Sequence, residues 1–269
     1  MNWYTTVQVE ENVYRISEPF IAAEPRVGVT TVNMYLVIGQ ERAVLIDSGM
    51  GIADLAAEIG KITNQPCSVL NTHYHWDHIG ANSLFSERAI HENEVELVGQ
   101  EPDVSFVREA MQSSTARAVL PSYFDPTEYR VVPKPATHIL HNNDKIDLGN
   151  RVLRVLHTPG HSPGHVVYLD EANGILFTGD TAYIGPLYAC FERSNPVDLA
   201  QSVKRLSRLP SVRMICPGHN DLITAQGWLN ELAECVAAAV NGKAAGKLRE
   251  GFVVGQECRF GALSVWLPQ

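Results

Sequence analysis

Side chains of the metal-binding types follow the ends of four apolar, strand-like segments, and this arrangement constrains the fold more than any other feature. The segment CSVLNT runs into HYHWDH at residues 73–78, and RVLRVLHTPG runs into His161. In the same way, GILFTG runs into Asp180 and VRMICPG runs into His219. Because neighbouring strands of one sheet deliver their terminal loops to a common edge, we expect these side chains to converge. The sequence therefore predicts a sheet-based α/β protein with a polar site at one edge.

The converging donors are nitrogen and oxygen atoms, and their number indicates two metal ions rather than one. HYHWDH holds three imidazoles and one carboxylate in six residues, without the helical HExxH spacing. Seven donors exceed what a closed tetrahedral site takes, and they suit two adjacent metals that share a carboxylate and a solvent oxygen. In TPGHSPGH, His161 and His165 are equivalent by spacing, so both stay open as the ligand from that loop.

The rest of the chain alternates between strand-like and helical patterns. Strands are predicted at residues 7–16, 34–38, 43–46, 67–70, 145–148, 152–156, 166–169, 175–177 and 212–216, with a final hairpin at 251–267. Helices are predicted at residues 52–62, 103–118, 197–208 and 226–240. The length of 269 residues suits one large domain or two small ones, and no linker divides the chain. We therefore expect one domain over residues 1–269.

Charge and cysteine usage narrow the class of protein. The 21 basic and 30 acidic residues give a formal charge of −9, which argues against a nucleic-acid partner. The five cysteines form no C-x-x-C pair, and the first residues lack the pattern of a signal peptide, so we expect reduced thiols in a cytoplasmic protein. No apolar run reaches membrane-spanning length, so no membrane partner is expected.

The motifs H-x-H-x-D-H, TPGHSPGH, LFTGDT and CPGHN, preceded by VLIDSGMG, together resemble the metallo-β-lactamase superfamily. The resemblance covers Asp47 to His219, most of the chain. It implies an αββα sandwich, in which two mixed β-sheets lie face to face with helices on both outer faces and a dinuclear metal site at one edge. The segment at about 104–135 would then be a helical cap insertion.

The resemblance also assigns the ligands of two divalent metal ions, with zinc expected first and manganese or iron as alternatives. The first metal would bind His73, His75 and His161, and the second would bind Asp77, His78 and His219. Asp180 would bridge the two metals together with a hydroxide. Asp47 ends the VLID strand, where the family places a carboxylate that orients a ligand imidazole. The implied partner is a small-molecule substrate, and a homodimer stays open.

The implied reaction is hydrolysis, in which the bridging hydroxide attacks an ester, thioester or lactone carbonyl. Asp77 or the second metal would assist the leaving group. Tyr183 follows Asp180 by three residues, where related lactonases keep a tyrosine that polarises the substrate; its other interpretation is a packing residue. Glyoxalase II is a second resemblance, although 50 residues after His219 are few for the glutathione-binding domain of that enzyme.

Three alternatives to carbonyl hydrolysis stay open at this point: a phosphodiesterase, a mononuclear iron enzyme that oxidises persulfides, and a non-catalytic metal sensor. A further hypothesis concerns the segment from about residue 104 to residue 135. Its residues Phe106, Met111, Tyr123 and Phe124 either cap the metal pocket and select an apolar acyl group, or simply cover the sheet.

Overall fold

Two mixed β-sheets form the centre of the structure, a computed structural model that describes residues 2–250 and 252–269. The strands of the first sheet, in spatial as well as chain order, are β1 (Thr5–Glu10), β2 (Val13–Glu18), β3 (Val32–Ile38), β4 (Ala43–Ile46), β5 (Cys67–Leu70), β6 (Arg88–His91) and β7 (His138–Leu140). Strands β1 to β4 pair antiparallel, and β4 to β7 pair parallel.

The second sheet supplies the other half of the sandwich. The next strands along the chain are β8 (Lys145–Asp147), β9 (Val152–His157), β10 (Val166–Asp170), β11 (Ile175–Gly179), β12 (Pro186–Tyr188) and β13 (Met214–Pro217). All except β12 belong to this sheet, in the order β13-β11-β10-β9-β8. Strand β10 is antiparallel to both of its neighbours, and β13 is parallel to β11. Strands β9, β11 and β13 therefore run in one direction, and their carboxyl ends share one edge.

Alternating apolar residues bury both faces of these sheets, as the twofold period of a strand requires. In β3, Tyr35 and Val37 lie in the core between the sheets, whereas Met34 and Leu36 lie in the core shared with the helices. The Tyr35 ring lies 5.4 Å from that of Phe177 on β11, so the sheets are in direct contact. The predicted αββα sandwich is confirmed.

The helices are mostly short: α1 (Phe20–Ala23), α2 (Leu55–Gly60), α3 (Trp76–Ile79), α4 (Val95–Val98), α5 (Ser105–Met111), α6 (Ser114–Arg117), α7 (Pro196–Leu206) and α8 (Trp228–Val240). Helix α7 begins where Pro196 follows Asn195, whose side chain accepts hydrogen bonds from two backbone N–H groups of the first turn. Among the described residues, no helix combines the length and the apolar character needed to cross a bilayer.

Three local expectations differ from the structure. Residues 7–16 form parts of two strands, because Asn12 takes a left-handed turn conformation between β1 and β2. The helix expected at 103–118 is divided into α5 and α6, because the Ser113 hydroxyl accepts from Ala116 N–H and so begins a new helix. The helix expected at 52–62 starts later, at Leu55, because the Asp54 carboxylate accepts from Ala57 N–H.

A third, smaller sheet was not expected. It consists of β12, β14 (Lys247–Glu250), β15 (Val254–Phe260) and β16 (Leu263–Leu267), in the order β12-β16-β15-β14. Strands β15 and β16 are the hairpin predicted near the end of the chain, although Gly251, the first residue of that prediction, lies outside the described residues. The pairing of β12 with β16 connects this sheet to the loop that follows Asp180.

Candidate metal centre

The loops after β5, β9, β11 and β13 bring all seven predicted donors together at the shared edge of the two sheets. The donors form three overlapping groups, each with ligand atoms within 4.8 Å of one another: His73, His75 and His161; Asp77, His78 and His219; and His73, His78 and Asp180. The first two are called the first group and the second group below. Six of the seven donors are buried, and His75 is half-buried.

In the first group, three imidazole nitrogens point at one another. His75 Nδ1 lies 3.0 Å from His73 Nε2 and 2.9 Å from His161 Nε2. Two of the opposite nitrogens have other partners: His161 Nδ1 donates to the Tyr188 carbonyl at 2.8 Å, and His73 Nδ1 lies 2.9 Å from the Thr72 hydroxyl. Nitrogens bound at 2.0–2.1 Å around a tetrahedral zinc lie about 3.3 Å apart, close to these distances. The first group therefore fits a metal ion.

The second group combines one carboxylate with two imidazoles. Asp77 Oδ2 lies 3.4 Å from His78 Nε2 and 3.5 Å from His219 Nε2. His219 is fixed from behind, because its Nδ1 donates to the Thr31 carbonyl at 2.9 Å. Both Nε2 atoms are thus aimed at the same carboxylate oxygen, as ligands of one cation would be.

Asp180 lies between the two groups. Its Oδ1 is 3.3 Å from His78 Nε2, and its Oδ2 is 3.3 Å from His219 Nε2 and 3.5 Å from His161 Nε2. His78 Nε2 and Asp180 Oδ1 are both buried and have no hydrogen-bond partner among the described residues. Buried polar atoms without partners are costly, and a metal ion between them would satisfy both.

Asp47 lies behind the second group, where the family resemblance places an orienting carboxylate. It accepts from His78 Nδ1 at 2.8 Å and from the N–H and hydroxyl of Thr72 at 2.7 and 2.8 Å. Because the Thr72 hydroxyl donates to Asp47, it accepts from His73 Nδ1 at 2.9 Å. Asp47 thus orients one imidazole directly and a second one through Thr72.

The ionisation of these groups favours bound cations. Burial lowers the pKa of His75 to about 3, which leaves the ring neutral and able to bind a metal. Burial alone would also lower the pKa of His78, but Asp77 and Asp180 raise it well above the usual range. The carboxylates of Asp77 and Asp180 therefore favour a positive charge in the second group, which either a proton on His78 or a bound metal ion would supply.

His161 and His165, the two candidate ligands in TPGHSPGH, have different hydrogen-bond partners. His165 Nε2 accepts from the backbone N–H of Asp180 at 3.0 Å, and its Nδ1 lies 2.9 Å from the Thr181 hydroxyl. Both nitrogens of His165 are thus occupied by protein groups, whereas His161 Nε2 faces the other donors. His165 supports the loop that carries Asp180 and lies outside the three donor groups.

A cavity of about 230 Å³ opens over the donors, and its walls are largely aromatic. Five of the seven donors line it: His75, Asp77, His161, Asp180 and His219. The aromatic residues of its walls are Phe20, Tyr74, Trp76, Phe106, Tyr183, Tyr188, Phe191 and Phe252. Apart from the donors, Glu192 is the charged side chain among the described lining residues. A cavity with apolar walls and polar groups at one end is typical of a small-molecule site.

Tyr183 lines this cavity with its ring rather than its hydroxyl. The ring lies 5.3 Å from that of His219. The hydroxyl donates to the Pro186 carbonyl in the same turn. The one proton that a phenol can donate is therefore already used, and the predicted role of Tyr183 as a donor to substrate would require the hydroxyl to change partners.

The segment at 104–135 contributes one of its four predicted residues to the cavity. Phe106 lines the cavity, and its ring lies 6.2 Å from that of Trp76. Met111 is buried in the core, Phe124 packs against Tyr129, and Tyr123 is 74% exposed. The hypothesis that this segment selects the acyl group can therefore apply only to Phe106, because the other three side chains do not line the cavity.

Sequence reasoning missed Glu94, a buried carboxylate beside two of the ligand loops. Its Oε1 accepts from Gly164 N–H at 2.8 Å and from the Ser162 hydroxyl at 2.5 Å, and burial raises its pKa to about 7. The segment HENE at residues 91–94 did not indicate a buried carboxylate, because acidic residues after a strand are common on protein surfaces. Glu94 fixes the loop that carries His161.

Comparisons with known proteins agree with this geometry. An acyl-coenzyme A thioesterase of Bos taurus, MBLAC2, is 30% identical over 241 residues, which are 84% of each chain. A hydroxyacylglutathione hydrolase of Xanthomonas axonopodis is 30% identical over 186 residues, 68% of this chain and 58% of the relative. A solved structure of TTHA1623 in a di-iron-bound form is 28% identical with a TM-score of 0.53, covering 74% of this chain and 92% of that one.

The sequence profile of the metallo-beta-lactamase superfamily matches residues 27–219. This range includes every donor of the three groups as well as Asp47. The profile, the sandwich of two mixed sheets and the donors at their edge agree with one another. The chain belongs to the metallo-β-lactamase superfamily.

Proposed function

We propose that this protein hydrolyses thioesters with two divalent metal ions held by the seven donors. As a member of its superfamily it is a metal-dependent hydrolase. The observation that carries the finer proposal is the position of Asp180 between two donor groups, beneath a cavity with aromatic walls. The relatives named acyl-coenzyme A thioesterase and hydroxyacylglutathione hydrolase support the choice of substrate class.

In this proposal, each residue of the cluster has a defined task. His73, His75 and His161 would hold one ion, Asp77, His78 and His219 would hold the other, and Asp180, which lies between the two groups, would be shared by both ions. Imidazole and carboxylate donors without a thiolate suit zinc, and they also accept manganese or iron. When bound, such ions supply hydroxide near neutral pH and polarise the carbonyl under attack.

Thioesters suit this site better than alkyl esters or lactones, because of the leaving group. A thiol has a pKa of about 8.5, so its anion leaves without a proton donor, whereas an alkoxide needs one. Of the described lining residues closest to the candidate metal site, Asp77 and Asp180 belong to the donor groups, and the Tyr183 hydroxyl donates to the Pro186 carbonyl. None of these three groups is free to protonate an alkoxide, which favours a leaving group that departs as an anion.

Metal content and substrate class test the proposal together. Protein purified without chelator should contain about two metal ions per chain and should hydrolyse acyl thioesters faster than lactones, aryl esters or phosphodiesters. Chelation should abolish turnover, and zinc, manganese or iron should restore it. A single iron with persulfide oxidation would instead support the oxygenase alternative. Metal binding without turnover of any of these substrates would support a sensor.

The geometry of Tyr183 leads to a second expectation. Because its hydroxyl donates to Pro186, Tyr183→Phe should change kcat for thioesters by less than about threefold, whereas removal of a donor to the developing oxyanion typically costs 10²–10³-fold. Steady-state kinetics at equal metal content give the comparison. A loss of that larger size in kcat, with KM unchanged, would show that the hydroxyl turns to the substrate and would restore the lactonase-like role.

A further inference from the structure

Phe106 and Phe252 line the same cavity as the donors, and their rings lie 5.0 Å apart. We propose that the third sheet completes the cavity, and that Phe252 and Phe106 together form a wall that binds an apolar acyl chain. This inference rests on the proposed thioesterase function, because it assigns the acyl side of that substrate. Phe252 lies beyond residues 27–219, the range that the superfamily profile matches.

The third sheet is joined to the metal centre by β12. This strand begins a few residues after Asp180, and it pairs in parallel with β16 near the end of the chain. Ser264 N–H donates to the Gly185 carbonyl at 3.0 Å, and Ala189 N–H donates to the Trp266 carbonyl at 2.9 Å. The hairpin of β15 and β16 is therefore held against the loop that leaves the metal centre.

Tyr188, at the end of β12, connects the sheet to both the donors and the cavity. Its carbonyl accepts from His161 Nδ1, which belongs to the first group. Its hydroxyl donates to the Val27 carbonyl at 2.7 Å, and its ring lines the cavity beside Trp266 at 5.4 Å. Tyr188 thus links the third sheet to His161 by a hydrogen bond, and its ring forms part of the cavity wall.

Phe252 precedes β15 and meets the helical segment above the donors. Its ring lies 5.0 Å from Phe106, 6.1 Å from Phe191 and 6.5 Å from Tyr188, distances at which aromatic pairs attract. Phe106 and Phe252 come from segments that are far apart in the sequence. Each ring supports the other, and together they close one side of the cavity.

The chemistry of this wall selects an apolar group. None of the described lining residues is lysine or arginine, and Glu192 adds negative charge, so a phosphate would be repelled there. An apolar chain would be favoured, because each methylene removed from water strengthens binding about fourfold. The acyl chain therefore enters the aromatic part, and the polar thiol carrier extends toward solvent.

Chain-length selectivity in two variants tests this assignment. For the wild type we expect kcat/KM to be higher with octanoyl- than with acetyl-coenzyme A. In Phe252→Ala and in Phe106→Ala, the octanoyl-to-acetyl ratio should fall about tenfold, within the range for small changes in an apolar pocket. Phe124→Ala is the matched control, because Phe124 lies in the same segment as Phe106 but packs on Tyr129 outside the cavity.

A rise of similar size in the ratio would contradict the proposal, because it would show that the rings limit the chain length rather than bind the chain. A ratio within twofold of wild type in both variants would overturn the proposal. Binding gives a second readout that does not need turnover: S-octyl-coenzyme A, a thioether, should bind more tightly than S-methyl-coenzyme A, and both substitutions should reduce this difference in calorimetry. If the wild type hydrolyses no thioester, the proposed thioesterase function is wrong. If the wild type binds the two thioethers equally well, the proposed acyl-binding role of Phe106 and Phe252 is wrong.

Discussion

Asp180→Asn is expected to lower kcat/KM for thioesters by more than about 10³-fold, beyond the 10–100-fold typical of changes to the outer partners of metal ligands. The reason is the central position of this carboxylate, whose two oxygens face imidazoles of both donor groups. An amide keeps the shape but offers one oxygen and turns an NH₂ toward the other group. Elemental analysis should then show about one metal per chain in place of two, with the second group losing its ion first.

The matched control for this change is Asp147→Asn. Asp147 is an exposed carboxylate on β8, away from the donors, so its substitution should leave both metal content and turnover at wild-type values. The metal-free forms of both variants should melt close to the metal-free wild type, because the shapes are preserved. Full metal content together with near wild-type turnover in Asp180→Asn would refute the assignment of Asp180 as the shared ligand.

The convergence of the seven donors was predictable from the apolar strands that precede them, but the expectation that those strands belong to one sheet was wrong. His73 follows β5 of the first sheet, whereas Asp180 and His219 follow β11 and β13 of the second, and the donors meet at the edge that the two sheets share. Spacing alone could not separate His161 from His165, because each follows a Pro-Gly pair, and His161 was selected only through the family resemblance. The difference between them depends on the backbone N–H of Asp180, which donates to His165, and a backbone group has no signature in the sequence.

The same limit applies to the groups that orient the candidate ligands. The Tyr188 and Thr31 carbonyls orient His161 and His219, and any residue type could provide a carbonyl at those positions. The third sheet was not predicted for a related reason. Its strand β12 is three residues long, too short to show a twofold period, and its partner β16 lies far along the chain. Only folding brings these segments together.

Asp47 offers the sharpest test of how the ligands are oriented. Its φ of 60° is a left-handed conformation that asparagine tolerates better than alanine, so Asp47→Asn changes the charge with little backbone strain. The side-chain amide of this variant can accept from Thr72 N–H only by turning its NH₂ toward His78 Nδ1. Two donors would then face each other, and His78 would have to move its proton to Nε2, the nitrogen that faces the second group.

We therefore expect Asp47→Asn to weaken metal binding by about 10–100-fold, mainly at the second group, with turnover recovering as metal is added in excess. Thr72→Val is the comparison, because it removes the hydroxyl between Asp47 and His73 but leaves the bond from His78 to Asp47. In Thr72→Val, metal binding should weaken mainly at the first group instead. Metal titrations followed by calorimetry separate the two effects. Equal metal affinities in Asp47→Asn and wild type would mean that the ligand loops position His78 without help from the carboxylate.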